Sequence, residues 1–184
     1  MAFLEDPKTS RKASVSGAFR LNVSSKSNPR DFYVSRDLGK LFHYVSSYDA
    51  TTGAVVFSLE NDSATDQCYI GHLQFSVLTN CAFDVYQTLD ADTPAGTTMT
   101  GVNMNMSSSN VAEAKAFGNA AVTGVTNTTT SKIAHVKCSA YSDAEIDFED
   151  TLILGRGDGI NIQLTGNGVF NVAVDAHWED PTQK

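Results

Sequence analysis

Gly159-Ile160-Asn161-Ile162-Gln163-Leu164-Thr165-Gly166-Asn167-Gly168-Val169-Phe170-Asn171-Val172-Ala173-Val174-Asp175-Ala176-His177-Trp178 alternates apolar and polar residues through most of its length. Ile160, Ile162 and Leu164 oppose Asn161, Gln163 and Thr165; then Phe170, Val172, Val174, Ala176 and Trp178 oppose Asn171, Asp175 and His177. Successive side chains of an extended chain point to opposite faces, so this is the pattern of two strands, each half-buried against a core. Gly166-Asn167-Gly168 supplies residues that accept positive φ, and the expectation is a β-hairpin closed by a tight turn.

The same period of two recurs upstream, with turn clusters every ten to fifteen residues. Val55, Phe57 and Leu59 oppose Ser58 and Glu60; Leu73, Phe75 and Val77 oppose Gln74 and Ser76; Phe83 and Val85 oppose Asp84 and Tyr86. Ala134, Val136, Cys138 and Ala140 oppose His135, Lys137 and Ser139. Helical spacing is confined to Val111-Ala112-Glu113-Ala114-Lys115-Ala116-Phe117, which Gly118 would terminate, so one short helix at most is expected. Many short strands without a 20-to-50-residue repeat point to a sandwich or barrel and away from a propeller or solenoid. The expected fold is all-β: an antiparallel β-sandwich of jelly-roll type over residues 41–184, preceded by an extended basic N-terminal arm over residues 1–40. Within that arm Arg20–Val23 and Arg30–Val34 are short candidate strands.

Charge divides the chain at the same place. Eight basic residues stand against four acidic ones in the first 40 positions, a charge of +4, which leaves −12 for the rest of a chain of net charge −8. So acidic a body repels nucleic acid, and no nucleic-acid partner is expected. The aromatic residues are spread over the strands and do not interleave with basic ones there, as stacking platforms would require. Lys8, Arg11, Lys12, Arg20, Lys26 and Arg30 either dock the arm on an acidic surface or form a solvated terminus. The longest apolar runs, such as Ala54–Phe57 and Thr151–Leu154, are far below the ~20 residues of a membrane span. The first residues lack the apolar stretch of a secretory signal, so synthesis in a cytoplasm is expected. Cys68, Cys81 and Cys138 lack C-x-x-C spacing and read as reduced thiols, with a single bridge left open.

Asp143, Glu145, Asp147 and Glu149 recur at period two, so on an extended segment their carboxylates share one face while Ile146 and Phe148 fill the other. Solvent and salt, a divalent cation, or the basic arm of a neighbouring subunit would offset their repulsion. Arg156-Gly157-Asp158 is an RGD tripeptide, but Gly155–Gly159 reads first as a glycine-rich turn between strands. The sequons at Asn22, Asn61, Asn105 and Asn127 read as turn chemistry. His43, His72, His135 and His177 are dispersed, with no H-x-H or H-E-x-x-H spacing, and no G-x-S-x-G, Walker A or G-x-G-x-x-G segment occurs. No catalytic residue, metal ligand or cofactor is therefore assigned, and the chain is read as non-enzymatic.

Four segments in order carry a resemblance: Leu59-Glu60-Asn61-Asp62; Val102-Asn103-Met104-Asn105-Met106-Ser107-Ser108-Ser109-Asn110-Val111-Ala112; Leu152-Ile153-Leu154-Gly155-Arg156-Gly157-Asp158-Gly159-Ile160; and Val172-Ala173-Val174-Asp175-Ala176-His177-Trp178-Glu179. Together they resemble the β-rich virion proteins of tailed bacteriophages, most closely head decoration (cement) proteins. The resemblance implies a jelly-roll homotrimer on the capsid surface, with the major capsid protein as partner and no membrane partner. The basic residues at positions 8–30 lie outside the resemblance, and from charge alone they are expected to help docking, with Asp143, Glu145, Asp147 and Glu149 meeting an arm or a subunit. The alternative is a phage tail or fibre module that binds a host surface glycan or receptor through residues 90–97 and 155–159.

Overall fold

The structure is a computed structural model that describes residues 3–6, 11–15, 21–22, 38–89 and 91–183, and it is built almost wholly of strand, with no α-helix among the described residues. The chain divides into two units, Met1–Arg30 and Asp31–Lys184. The first contains β1 (Phe3–Asp6), β2 (Arg11–Val15) and β3 (Leu21–Asn22), an antiparallel sheet in that order. The strand expected at Arg20–Val23 is thus present as β3, while the one expected at Arg30–Val34 lies outside the described residues.

The second unit is an antiparallel β-sandwich. Its strands are β4 (Leu41–Ala50), β5 (Val55–Asn61), β6 (Gln67–Val77), β7 (Cys81–Gln87), β8 (Thr98–Met99), β9 (Val102–Asn103), β10 (Ala114–Val122), β11 (Lys132–Cys138), β12 (Ser142–Leu154), β13 (Gly159–Thr165) and β14 (Gly168–Glu179). One sheet has the order β12-β6-β14-β4-β9 and the other β11-β7-β13-β5-β10-β8. The chain passes between the sheets at one edge through Met99–Val102, where the lack of a Cβ at Gly101 admits the Tyr44 ring; an added Cβ would fall 2.6 Å from it.

Alternation places the core as the sequence suggests. Phe75, Val77, Phe83, Val85, Ile160, Ile162, Leu164, Phe170, Val172, Val174 and Trp178 are all buried. Aromatic rings tie the two sheets together: Phe83 lies 4.7 Å from Phe75 and 5.9 Å, edge-on, from Phe170, and Tyr44 meets Phe57 at 6.1 Å. Such offset and edge-on pairs add to the area they remove from water, each by about 0.5–1.5 kcal/mol.

Two expectations are corrected. Residues 159–178 do form two strands, but not a hairpin: β13 pairs with β5 and β7, whereas β14 pairs with β4 and β6 in the opposite sheet. Gly166-Asn167-Gly168 arches over the end of the sandwich. Its glycines, at φ 117° and 141°, lie against Cys81 and Thr79, and Asn167 accepts from the Thr52 N–H at 2.6 Å. Two strands that share one core from opposite sides show the same alternation as two that pair side by side. The short helix expected at Val111–Phe117 is also absent, because Ala114–Gly118 pairs with Phe57–Asn61 and Ala116–Phe117 with Thr98–Met99 on the other side. Ala116 is buried there, so sheet pairing on both edges overrides the helical preference of an alanine-rich segment.

Candidate functional site

Three of the four resemblance segments, those around Asn61, Leu154–Asp158 and Trp178, meet at Asn61. This residue ends β5, is 0% exposed, and spends the whole capacity of its side-chain amide on neighbours. Nδ2 donates to the carbonyls of Asp66 and Leu154, both at 3.0 Å. Oδ1 accepts from the Ser63 N–H at 3.1 Å and from Trp178 Nε1 at 2.9 Å. Its backbone closes the glycine-rich turn, donating to the Asp158 carbonyl and accepting from the Gly157 N–H. Asn61 therefore joins the ends of β5, β12 and β14.

A second asparagine cluster holds the residue 103–110 loop. Asn103 donates to the carbonyls of Gly39 and Asn110, Asn110 donates to that of Leu38, and Asn105 accepts from the Ser107 N–H. At Asn61 and Asn105 the sequons are thus turn chemistry. In both clusters the recurring asparagines lock loops.

The RGD tripeptide is likewise a built turn. The Asp158 carboxylate accepts from the Gly155 N–H at 2.9 Å, and Gly157 takes φ 81° at the tip. In the other candidate loop Asp92 accepts from the N–H groups of Leu89 and Thr126, so its carboxylate also holds the fold.

Charged groups gather on the outer faces. Asp143, Glu145, Asp147 and Glu149 are all exposed on β12, with Ala144, Ile146 and Phe148 half-buried beneath them. The first three continue in register along β6, opposite Ser76, Gln74 and His72. Glu149 departs from that row: the register shifts between Asp147 and Leu152, and Glu149 takes φ 47° with its N–H donating to Asp147. Beside this row lies a grouping with no local signature in the sequence. His43 Nδ1 stands 2.6 Å from Asp175, and His72 bridges Asp175 at 3.8 Å and Glu145 at 3.3 Å. These residues are brought together only by the register of β4, β14, β6 and β12. Among the described residues no group of three or more His, Cys, Asp or Glu side chains is arranged to hold a metal ion.

On the opposite sheet Asp84 lies 2.9 Å from Lys132 and 2.5 Å from His135. Partial burial disfavours its charge, yet the hydrogen bonds from Lys132 and His135 outweigh that and hold its carboxyl below the usual range. All three cysteines are free thiols, Cys68 and Cys138 buried and Cys81 half-buried. Desolvation raises each, Cys138 to about 11.

Of the basic candidates, Lys8, Arg20, Lys26 and Arg30 lie outside the described residues. Arg11 and Lys12 fall on β2, where the register sets them opposite Asp6 and Glu5. No family model matches the chain, and no curated protein or solved structure does either.

Proposed function

We propose that the chain is a structural virion protein that decorates the outer surface of a phage head and stabilises contacts between major capsid subunits. The observation that carries this reading is the division of charge. An acidic sandwich bears an exposed row of carboxylates along edge strand β12, and the separate first unit, Met1–Arg30, holds six of the 13 basic residues against two acidic ones. Surfaces of opposite sign on one chain suit repeated head-to-body contacts on a symmetric lattice, where many weak contacts add. The resemblance of the four ordered segments points the same way, and three of them meet at Asn61.

In this reading the sandwich is wound as a jelly roll. Support comes from the strand order: β4-β14-β6-β12 faces β5-β13-β7-β11, with β8, β9 and β10 added at one edge. The assembly is a homotrimer, which also covers strand edges that a lone sandwich leaves open.

Locating the protein in a virion density map tests the reading directly, and density on the tail alone overturns it. Sedimentation should give three times the 19.7 kDa chain mass. Deletion of residues 1–30 should reduce occupancy on purified heads, and undiminished occupancy removes that segment from the docking mechanism.

A further inference from the structure

Ser47 on β4, Asn171 on β14, Ser76 on β6 and Asp143 on β12 are consecutive register partners, so they form one transverse row on the solvent side of the sheet. With neighbouring strands about 4.8 Å apart, the row is roughly 14 Å long. None of its four side chains is longer than Asn or Asp, and the surface dips there into a groove of about 390 Å³. Several small polar residues elsewhere are committed to the protein's own backbone, as at Ser46, Asn61, Asn103 and Asn110. In this row, by contrast, none of the four makes a side-chain hydrogen bond among the described residues; Ser47 engages only through its backbone N–H, which donates to Asn119.

Tyr141 stands at one end of the groove, 85% exposed and at φ 58°. The left-handed region costs a non-glycine residue on the order of 1–2 kcal/mol, and turns that need it ordinarily use Gly or Asn. The turn is nonetheless firmly tied. Tyr141 N–H donates to the Val77 carbonyl at 2.9 Å, Ala140 N–H to Asn80 Oδ1 at 2.8 Å, and Ser142 Oγ to the Ser139 carbonyl at 2.6 Å. A large aromatic plane is thus held in water on a rigid support, beside the partly exposed Leu78 and Val169.

We propose that this groove is a binding site for a neutral oligosaccharide. A pyranose ring has an apolar C–H face that stacks on an aromatic plane and a rim of hydroxyls that both donate and accept. Tyr141 supplies the plane, Ser47, Ser76 and Asn171 supply groups that donate and accept, and Asp143 accepts. Anionic ligands are opposed by Asp143 and by the −12 charge of the body. The walls of the groove are more apolar than polar, through Tyr141, Leu78, Val169 and Phe170, which suits the C–H face of a sugar while the row meets its hydroxyls. The groove is lined by neither the glycine-rich turn nor the residue 90–97 loop, and it serves a head protein or a tail protein equally.

The test uses the full chain on an array of neutral bacterial and mammalian oligosaccharides, followed by calorimetric titration of the tightest binder. Binding at about 1 mM or tighter is expected, weakened more than tenfold in both Tyr141→Ala and Asn171→Ala and unchanged in Asp158→Ala. Both key positions are exposed, so the variants should fold, and circular dichroism verifies this. No binding at that level overturns the proposal, as does binding that survives Tyr141→Ala and Asn171→Ala or that is lost in Asp158→Ala.

Discussion

Asn61→Ala should be among the most damaging single substitutions in this protein. Four buried hydrogen bonds disappear together: those from Nδ2 to Asp66 and Leu154, and those to Oδ1 from Ser63 and Trp178. A neutral hydrogen bond is worth about 1 kcal/mol net, but a buried partner left unsatisfied costs about 1–3 kcal/mol. Trp178 is 2% exposed, so its indole N–H has no easy recourse to water. Partial relaxation of the Ser63–Asp66 turn will recover some of the loss. The expected destabilisation is about 3–5 kcal/mol, which for a body of this size lowers Tm by roughly 10–15 °C. Denaturant and thermal unfolding followed by circular dichroism measure it in Asn61→Ala, Trp178→Phe and the double variant. Phenylalanine retains an aromatic ring to pack edge-on to Phe42, now 5.5 Å from the indole, and removes only the donor. A coupling of about 1 kcal/mol or more is expected between the two sites. A loss below about 1 kcal/mol in Asn61→Ala, or strict additivity in the double variant, would refute the claim that this amide holds three strand ends together.

Gly159→Ala should destabilise by more than about 2 kcal/mol, because the new methyl would lie 2.5 Å from the Leu59 carbonyl oxygen and force β5 and β13 apart; a wild-type-like melting curve counts against this. Asp84 has a depressed folded-state pKa, so its contribution to stability is present above the ordinary value of 3.8 and is lost as pH falls through the folded value. Unfolding free energies measured between pH 6 and pH 2 should therefore fall more steeply for the wild type than for Asp84→Asn, and parallel curves would contradict the assignment. Cys81 and Cys138 face each other across β7 and β11, where opposed Cα atoms stand about 4.5–5.5 Å apart, within disulfide reach. Treatment with diamide should yield one intramolecular Cys81–Cys138 bridge and leave Cys68 reduced; peptide mapping that finds Cys68 in the bridge would show the register to be wrong.

Strand positions were legible in the sequence because the period of two is a local property, written wherever one face of a strand meets a core. The separation of Asp143, Glu145 and Asp147 from Ile146 and Phe148 was legible for the same reason. Glu149 was not, since the bulge that removes it from the row depends on how β12 realigns against β6. Partner choice was invisible at Gly166-Asn167-Gly168, where glycine and asparagine permit a tight hairpin and an arch between sheets alike. The tethers to Thr52, Thr79 and Cys81 that select the arch come from residues 80 to 115 positions away.

By itself, then, the sequence determined that this chain builds an all-β body with a strongly acidic surface behind a basic N-terminal segment, because composition and alternation act residue by residue. Tertiary structure decided which strands pair, that Ala114–Val122 is strand and not helix, and that Asn61 meets Trp178. It also gathered His43, Asp175, His72 and Glu145 into one grouping and Ser47, Asn171, Ser76 and Asp143 into one row. Each of these depends on register between strands far apart in the chain, and the residues near any one strand do not carry that information.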